Sequence, residues 1–125
     1  MKKIFTLTFI LLSVACQKAG DRDLDPKIFQ EKISSTNDAV VLDVRTPGEV
    51  ALGHIAGSVH FDILSDDFPK NIATLEKDKT YFVYCGSGIR SNKAIDLMKS
   101  KGFEKLYGLK GGIKEWKAQG LEIVK

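Results

Sequence analysis

Residues 84–92 read YCGSGIRSN, and they hold Cys85, the only cysteine beyond residue 16, with Arg90 five positions on. A cysteine attacks as a thiolate. Its pKa, about 8.5 when free, falls beside backbone donors or a guanidinium. A tight glycine-containing loop that enters a helix supplies such donors. The N–H groups of Gly86, Ser87, Gly88, Ile89 and Arg90 can converge on one point, and the helix adds its positive end. Gly86 and Gly88 relieve the backbone where it is crowded or left-handed. Arg90 brings a permanent charge and a planar fork suited to oxyanions. Ser87 and Ser91 offer hydroxyls that either cap the turn and helix or hold ligand oxygens. The bland alternative is a small hydrophobe at the end of an apolar strand. The glycines, Arg90 and the following helical pattern favour an ionised, solvent-reachable nucleophile acting on an anion.

The surrounding elements must place that loop. AVVLDV (39–44) and TYFVY (80–84) are dense apolar runs of the kind buried on both faces of a parallel sheet. Shorter strands are expected at SVHF (58–61) and KLYGL (105–109). Helical patterns occupy 25–35, where Asp25 and Pro26 suit a start, and 91–102, where Ala94, Ile95, Leu97 and Met98 form an apolar side and Gly102 a stop. A Pro-containing turn and short helix follow the first strand, one helix lies within 66–79, and Ile113 and Trp116 dock a last helix over 111–120. Strands alternating with helices predict an α/β fold, with a mainly parallel central sheet, helices on both faces, and ligands beyond the carboxyl ends of the strands. Cys85 directly follows TYFVY.

The amino terminus is a separate object. MKK is cationic, and residues 4–15 are uncharged and nearly all apolar. Twelve helical residues span about 18 Å against a hydrocarbon core of about 30 Å, which fits an export signal over 1–15 rather than a membrane span. LLSVAC resembles the lipobox of bacterial lipoproteins, with Ser13 where leucine is usual. That resemblance makes Cys16 the lipidated first residue of a mature chain; cleavage near Ala15 without lipidation is the alternative. Residues 16–24 then form a tether and 25–125 the folded domain. The implied location is the periplasmic side of the envelope, membrane-anchored. Gln17, in place of an aspartate, favours the outer membrane.

Charge excludes one partner class. Without Lys2 and Lys3, seventeen basic residues face sixteen acidic ones, a net side-chain charge of +1. That balance, with no basic aromatic stripe, argues against nucleic acid. No zinc-like Cys/His spacing implies a metal, and no cofactor is expected. With Cys16 acylated, Cys85 would be the sole thiol of an exported protein, so no disulfide within the chain is available.

CGSGIRS resembles the active-site loop of the rhodanese-like sulfurtransferase family. VVLDVRTPGEVALGHIAGSVHF (40–61) is similar to the family's Asp-Val-Arg and Gly-His-Ile-x-Gly stretches, and KLYGLKGGIKEWKAQG (105–120) to its Gly-Gly-x-x-x-Trp close. The likeness covers residues 25–124. It implies a rhodanese-like three-layer fold and a covalent cycle: Cys85 takes the outer sulfur of thiosulfate or a persulfide donor, then passes it to a thiol, cyanide or protein acceptor. The resemblance makes Asp43 and Arg45 a pair that orders the site, His54 structural, and leaves His60 unassigned.

Cys85 to Arg90 counts as C-x4-R, whereas phosphatase-like and arsenate-reducing relatives use the longer C-x5-R that fits a tetrahedral oxyanion. The shorter loop favours sulfur. Arg90 is the one charge inside it and Lys93 lies just after, so selectivity for thiosulfate is not built into the loop. A non-enzymatic rhodanese-like module that docks an envelope partner is the competing function.

Overall fold

The computed structural model describes residues 22–125. The expected export signal, the lipidation site Cys16 and most of the tether lie outside these residues. Among the described residues no helix is long and apolar enough to cross a membrane.

Among the described residues five strands form one sheet: β1 (Asp23–Leu24), β2 (Ala39–Asp43), β3 (Val59–His60), β4 (Thr80–Tyr84) and β5 (Leu106–Leu109). Every pairing between them is parallel, in the order β1-β5-β4-β2-β3. The helices are α1 (Pro26–Ser34), α2 (Pro47–Ala51), α3 (Phe68–Ile72), α4 (Ile89–Ser100) and α5 (Gly112–Ala118).

β4 is central and buried along its whole length. Its side chains alternate between two cores, as strand geometry requires. Tyr81, Val83 and Cys85 join the core made with Phe68 and Ile72 of α3 and Ala94, Ile95 and Met98 of α4. Phe82 and Tyr84 join the opposite core, with Phe29 of α1 and Ile113 and Trp116 of α5. This parity aims Cys85 at the α4 layer.

Chain direction explains why a site forms here. From β2 the chain continues to β3 on one side, and from β4 to β5 on the other. The segments after these neighbouring strands diverge and leave a crevice at their carboxyl ends, the usual ligand position in open α/β sheets. Residues after Asp43 and after Tyr84, which are register partners, therefore face one another.

Two boundaries differ from the sequence reading. Arg22 to Leu24 are part of the folded body rather than tether: Gly108 donates its N–H to Arg22 O at 2.9 Å, Lys110 to Leu24 O at 2.9 Å, and Arg22 reaches Asp96 at 2.8 Å. A two-residue strand is too short to show a period. Helix α4 begins at Ile89 rather than Ser91, with Gly88 just before it at φ 108°. The left-handed turn at Gly88 lets the helix start at once, so Ile89 and Arg90 belong to its first turn.

Candidate active site at the carboxyl end of β4

Cys85 leaves β4 with its sulfur pointing into the first turn of α4. Gly88 donates its N–H to Sγ at 3.0 Å, and Sγ lies 3.4 Å from Ser91 Oγ. Burial pushes the thiol up. The Ser91 hydroxyl and the backbone N–H groups of Ser91, Gly88 and Ser87 outweigh it, and the thiol is held below its ordinary value. With the thiol protonated, the Ser91 hydroxyl donates to Gly88 O at 3.1 Å. On ionisation the same hydroxyl can turn its proton to the sulfur.

The loop is braced from behind. Ile113 donates its N–H to Cys85 O at 2.9 Å and Lys114 to Gly86 O at 3.2 Å. With these carbonyls turned to α5, the loop's N–H groups are free to face the sulfur. Gly112 makes the approach possible. Its φ is +64°, and a Cβ there would collide with the Gly86 carbonyl and meet Ser87 N at 2.6 Å.

Two expectations are corrected. Cys85 is not solvent-reachable as it stands: it is 1% exposed and belongs to the core on the α4 side of the sheet. Arg90 does not hold its planar fork open to an oxyanion. Its fork pairs with Glu49, Nη1 to Oε1 at 2.7 Å and Nη2 to Oε2 at 2.8 Å. This bidentate bond is the main reason the Glu49 carboxyl falls to about 2. Arg90 still lies within electrostatic range of Cys85, which helps to keep it charged.

Glu49 had a local signal. Thr46-x-x-Glu49 is a capping box: Glu49 N–H donates to Thr46 Oγ1 at 3.4 Å, and the Thr46 hydroxyl donates to Glu49 Oε1 at 3.1 Å. The box fixes α2, and α2 presents the carboxylate to Arg90. What no local pattern says is that a residue after β2 meets one after β4.

Asp43 and Arg45 form the frame that carries α2. Both are buried, with Nη2 to Oδ2 at 2.7 Å and Nε to Oδ1 at 3.0 Å. Arg45 also donates to Gly53 O at 2.7 Å, beyond the far end of the helix. Burial lowers the Arg45 pKa, but the Asp43 carboxylate more than offsets this and the guanidinium stays charged. Tyr84, on the same face of the next strand, donates to Asp43 Oδ2 at 2.6 Å and accepts the Ile55 N–H at 3.1 Å. Burial and the Asp43 bond push its hydroxyl up to about 12, so it stays protonated and donating.

Neither histidine contacts the sulfur. His60 Nε2 lies 2.6 Å from Arg45 O. His54 joins the chain end through paired backbone bonds with Val124. Ile113 and Trp116 are core residues.

A cleft of about 440 Å³ opens beside the loop. Arg45, Glu49 and Leu52 line it from the segment after β2, Gly86 and Ser87 from the loop, and Ile113, Lys114 and Lys117 from α5. The two lysines were missed because they are ordinary exposed helix residues in sequence; only the docking of α5 behind the loop brings them here.

The family model described as Rhodanese-like domain matches residues 25–119. A sulfurtransferase of Allochromatium vinosum is 30% identical over 82% of this chain and 94% of its own length. Thiosulfate sulfurtransferase GlpE of Ectopseudomonas mendocina is 40% identical over 76% of this chain and 84% of its own. Among solved structures, a rhodanese-related protein from Thermoplasma volcanium superposes with a TM-score of 0.73 at 32% identity, covering 82% of this chain and 97% of that one. The parallel sheet, the cysteine loop closing β4 and these matches over nearly all the described residues agree: the chain belongs to the rhodanese-like domain family.

Proposed function

We propose that the protein moves a sulfane sulfur from thiosulfate or a persulfide donor to a thiophilic acceptor through a persulfide on Cys85. One observation carries this reading: the Cys85 sulfur, at the end of β4, accepts the Gly88 N–H at 3.0 Å and has its pKa lowered in spite of burial. A thiolate formed without a general base can attack a sulfur atom directly. The displaced charge then moves between sulfurs within reach of the same fixed donors, which need no reorganisation as it moves. Asp43, Arg45 and Ser91 position the site, and the N–H groups of the loop cradle the bound persulfide.

Burial of Cys85 sets a further condition: the donor's terminal sulfur enters only when the groups that cover the thiol shift. A terminal sulfur is a single atom and needs a narrower opening than a tetrahedral oxyanion. The occupied Arg90 fork adds to the short loop in disfavouring phosphate or arsenate.

Export and attachment through Cys16 belong to the same proposal, supported by the apolar stretch and LLSVAC. Mass spectrometry of the native amino terminus tests them.

For the activity, the test is incubation of the reduced protein with thiosulfate or a persulfide, scored as a mass gain of one sulfur atom on Cys85. The gain is expected in the parent and absent in Cys85→Ser. A parent that takes up no sulfur from any such donor would refute sulfur transfer. The low exposure of Cys85 favours a docking module as the second reading. Its signature is capture of an envelope partner unaffected by Cys85→Ser.

A further inference from the structure

Four charged side chains line the cleft beside the loop, and two are already neutralised. Arg45 is paired with buried Asp43, and Glu49 with Arg90. Lys114 and Lys117 make no ion pair among the described residues. They stand three apart on α5 and so project as neighbours. The cleft therefore carries two uncompensated positive charges, both on the wall that braces the Cys85 loop. Leu52, 72% exposed, adds apolar surface, and Ile113 lines the cleft from the core.

Size and charge placement together define what fits. A volume of about 440 Å³ lies in the range of organic small-molecule sites, roughly 300–1,000 Å³. Thiosulfate has five heavy atoms; with one water claiming about 30 Å³, it would leave most of the cleft unfilled. Its charge also sits one bond from the transferred sulfur, close to a fork that Glu49 already holds. The free cations lie elsewhere, on α5.

We propose that Lys114 and Lys117 are specificity-determining residues that receive the carboxylates of an organic persulfide, whose carbon body lies against Leu52. This rests on the sulfur-transfer reading and names its donor class. The Cys85 thiolate attacks the terminal sulfur of R–S–SH. The Sγ–S bond forms as the donor's S–S bond breaks, the electron pair leaves on R–S⁻, and the persulfide proton passes to that departing thiolate. Cys85 is oxidised to the persulfide and the donor reduced to a thiol, so no further oxidant is required.

The test is single-turnover sulfur uptake by the full chain from glutathione persulfide, which has two carboxylates, and from an uncharged alkyl persulfide. The parent is expected to half-saturate at lower concentration with glutathione persulfide. Lys114→Ala/Lys117→Ala should shrink that advantage about tenfold, on the order of what two exposed ion pairs supply, and added salt should erode it in the parent. Equal half-saturation by the two donors, or an advantage that survives the double substitution, overturns the proposal. Titration with S-methylglutathione, which cannot transfer sulfur, separates it from the underlying reading. Binding that the double substitution weakens supports the assignment of the lysines even if no donor modifies Cys85, and that second result would sink sulfur transfer alone. Absence of both binding and sulfur uptake overturns both.

Discussion

Arg90 gives both terminal nitrogens of its guanidinium to the two carboxylate oxygens of Glu49, at 2.7 and 2.8 Å. The cation expected to greet the substrate is thus occupied in the resting protein. It is held by a residue that arrives from the neighbouring strand's carboxyl end. Charge-assisted bidentate bonds of this kind are among the stronger polar contacts, and the pair restrains the loop as well as neutralising its arginine.

Glu49→Gln should free the fork for small anions. We expect the half-saturating concentration of thiosulfate to fall about threefold to tenfold, the worth of an exposed or partly exposed ion pair. Steady-state rates check this. A concentration that stays the same or rises would show that Arg90 does not read the donor.

The same pair fixes a pH window. The Glu49 carboxyl drops from 4.5 to about 2 on folding, chiefly through the Arg90 bond. A depressed carboxyl stabilises the fold above its unfolded value and loses that contribution as pH falls through its folded one. The contribution should be complete above about pH 4.5 and disappear toward pH 2. Carbon-13 titration of the Glu49 carboxyl reads it directly; an ordinary midpoint would mean that the pair does not persist in solution.

Ser91→Ala should move the ionisation of Cys85 to higher pH, because it removes the largest of the contributions that oppose burial. Sulfur uptake at pH 7 should slow about threefold to tenfold, in line with a hydrogen bond worth about 1 kcal/mol. The parent and variant rates should converge at pH values above both midpoints. Thiolate absorbance measured against pH gives the shift independently of solvent access, and coincident curves would remove Ser91 from the account.

Gly112→Ala is expected to destabilise the fold by about 2–4 kcal/mol, combining a left-handed backbone with a clash against the Gly86 carbonyl that cannot swing away. Denaturant unfolding measures this. A loss below about 1 kcal/mol would mean that the loop can retreat from α5 at little cost, and that its bracing is weaker than the hydrogen bonds from Ile113 and Lys114 imply.

Asp43→Ala leaves Arg45 buried without its carboxylate, a change that costs about 3–5 kcal/mol. Asp43 is fully buried and Arg45 is 3% exposed, so water cannot readily substitute. The expected result is a lowered unfolding midpoint in urea; a near-neutral change would show that the frame holding α2 does not depend on this pair.

β4 and β2 were readable in advance because a strand covered on both faces leaves a nearly continuous apolar run, as in TYFVY and AVVLD. Helices α1, α4 and α5 were legible through their apolar residues, α2 and α3 only as short helices expected between strands, and the stop at Gly102 through its need for positive φ. β1 was not legible: two residues hold no period, and their place depends on β5 offering an edge.

Sequence alone determined the place of Cys85, the proposed nucleophile, together with its glycine-containing loop, the strand before it and the helix after it. All of these are encoded within a few residues of one another, where side-chain type and backbone freedom act locally. Tertiary structure decided that Arg90 is held by Glu49, that Cys85 lies buried, and that Lys114 and Lys117 meet the cleft. Those facts join segments that come together only when β2 and β4 pair and α5 docks behind the loop. Long-range packing sets them, and no local pattern of residues records it.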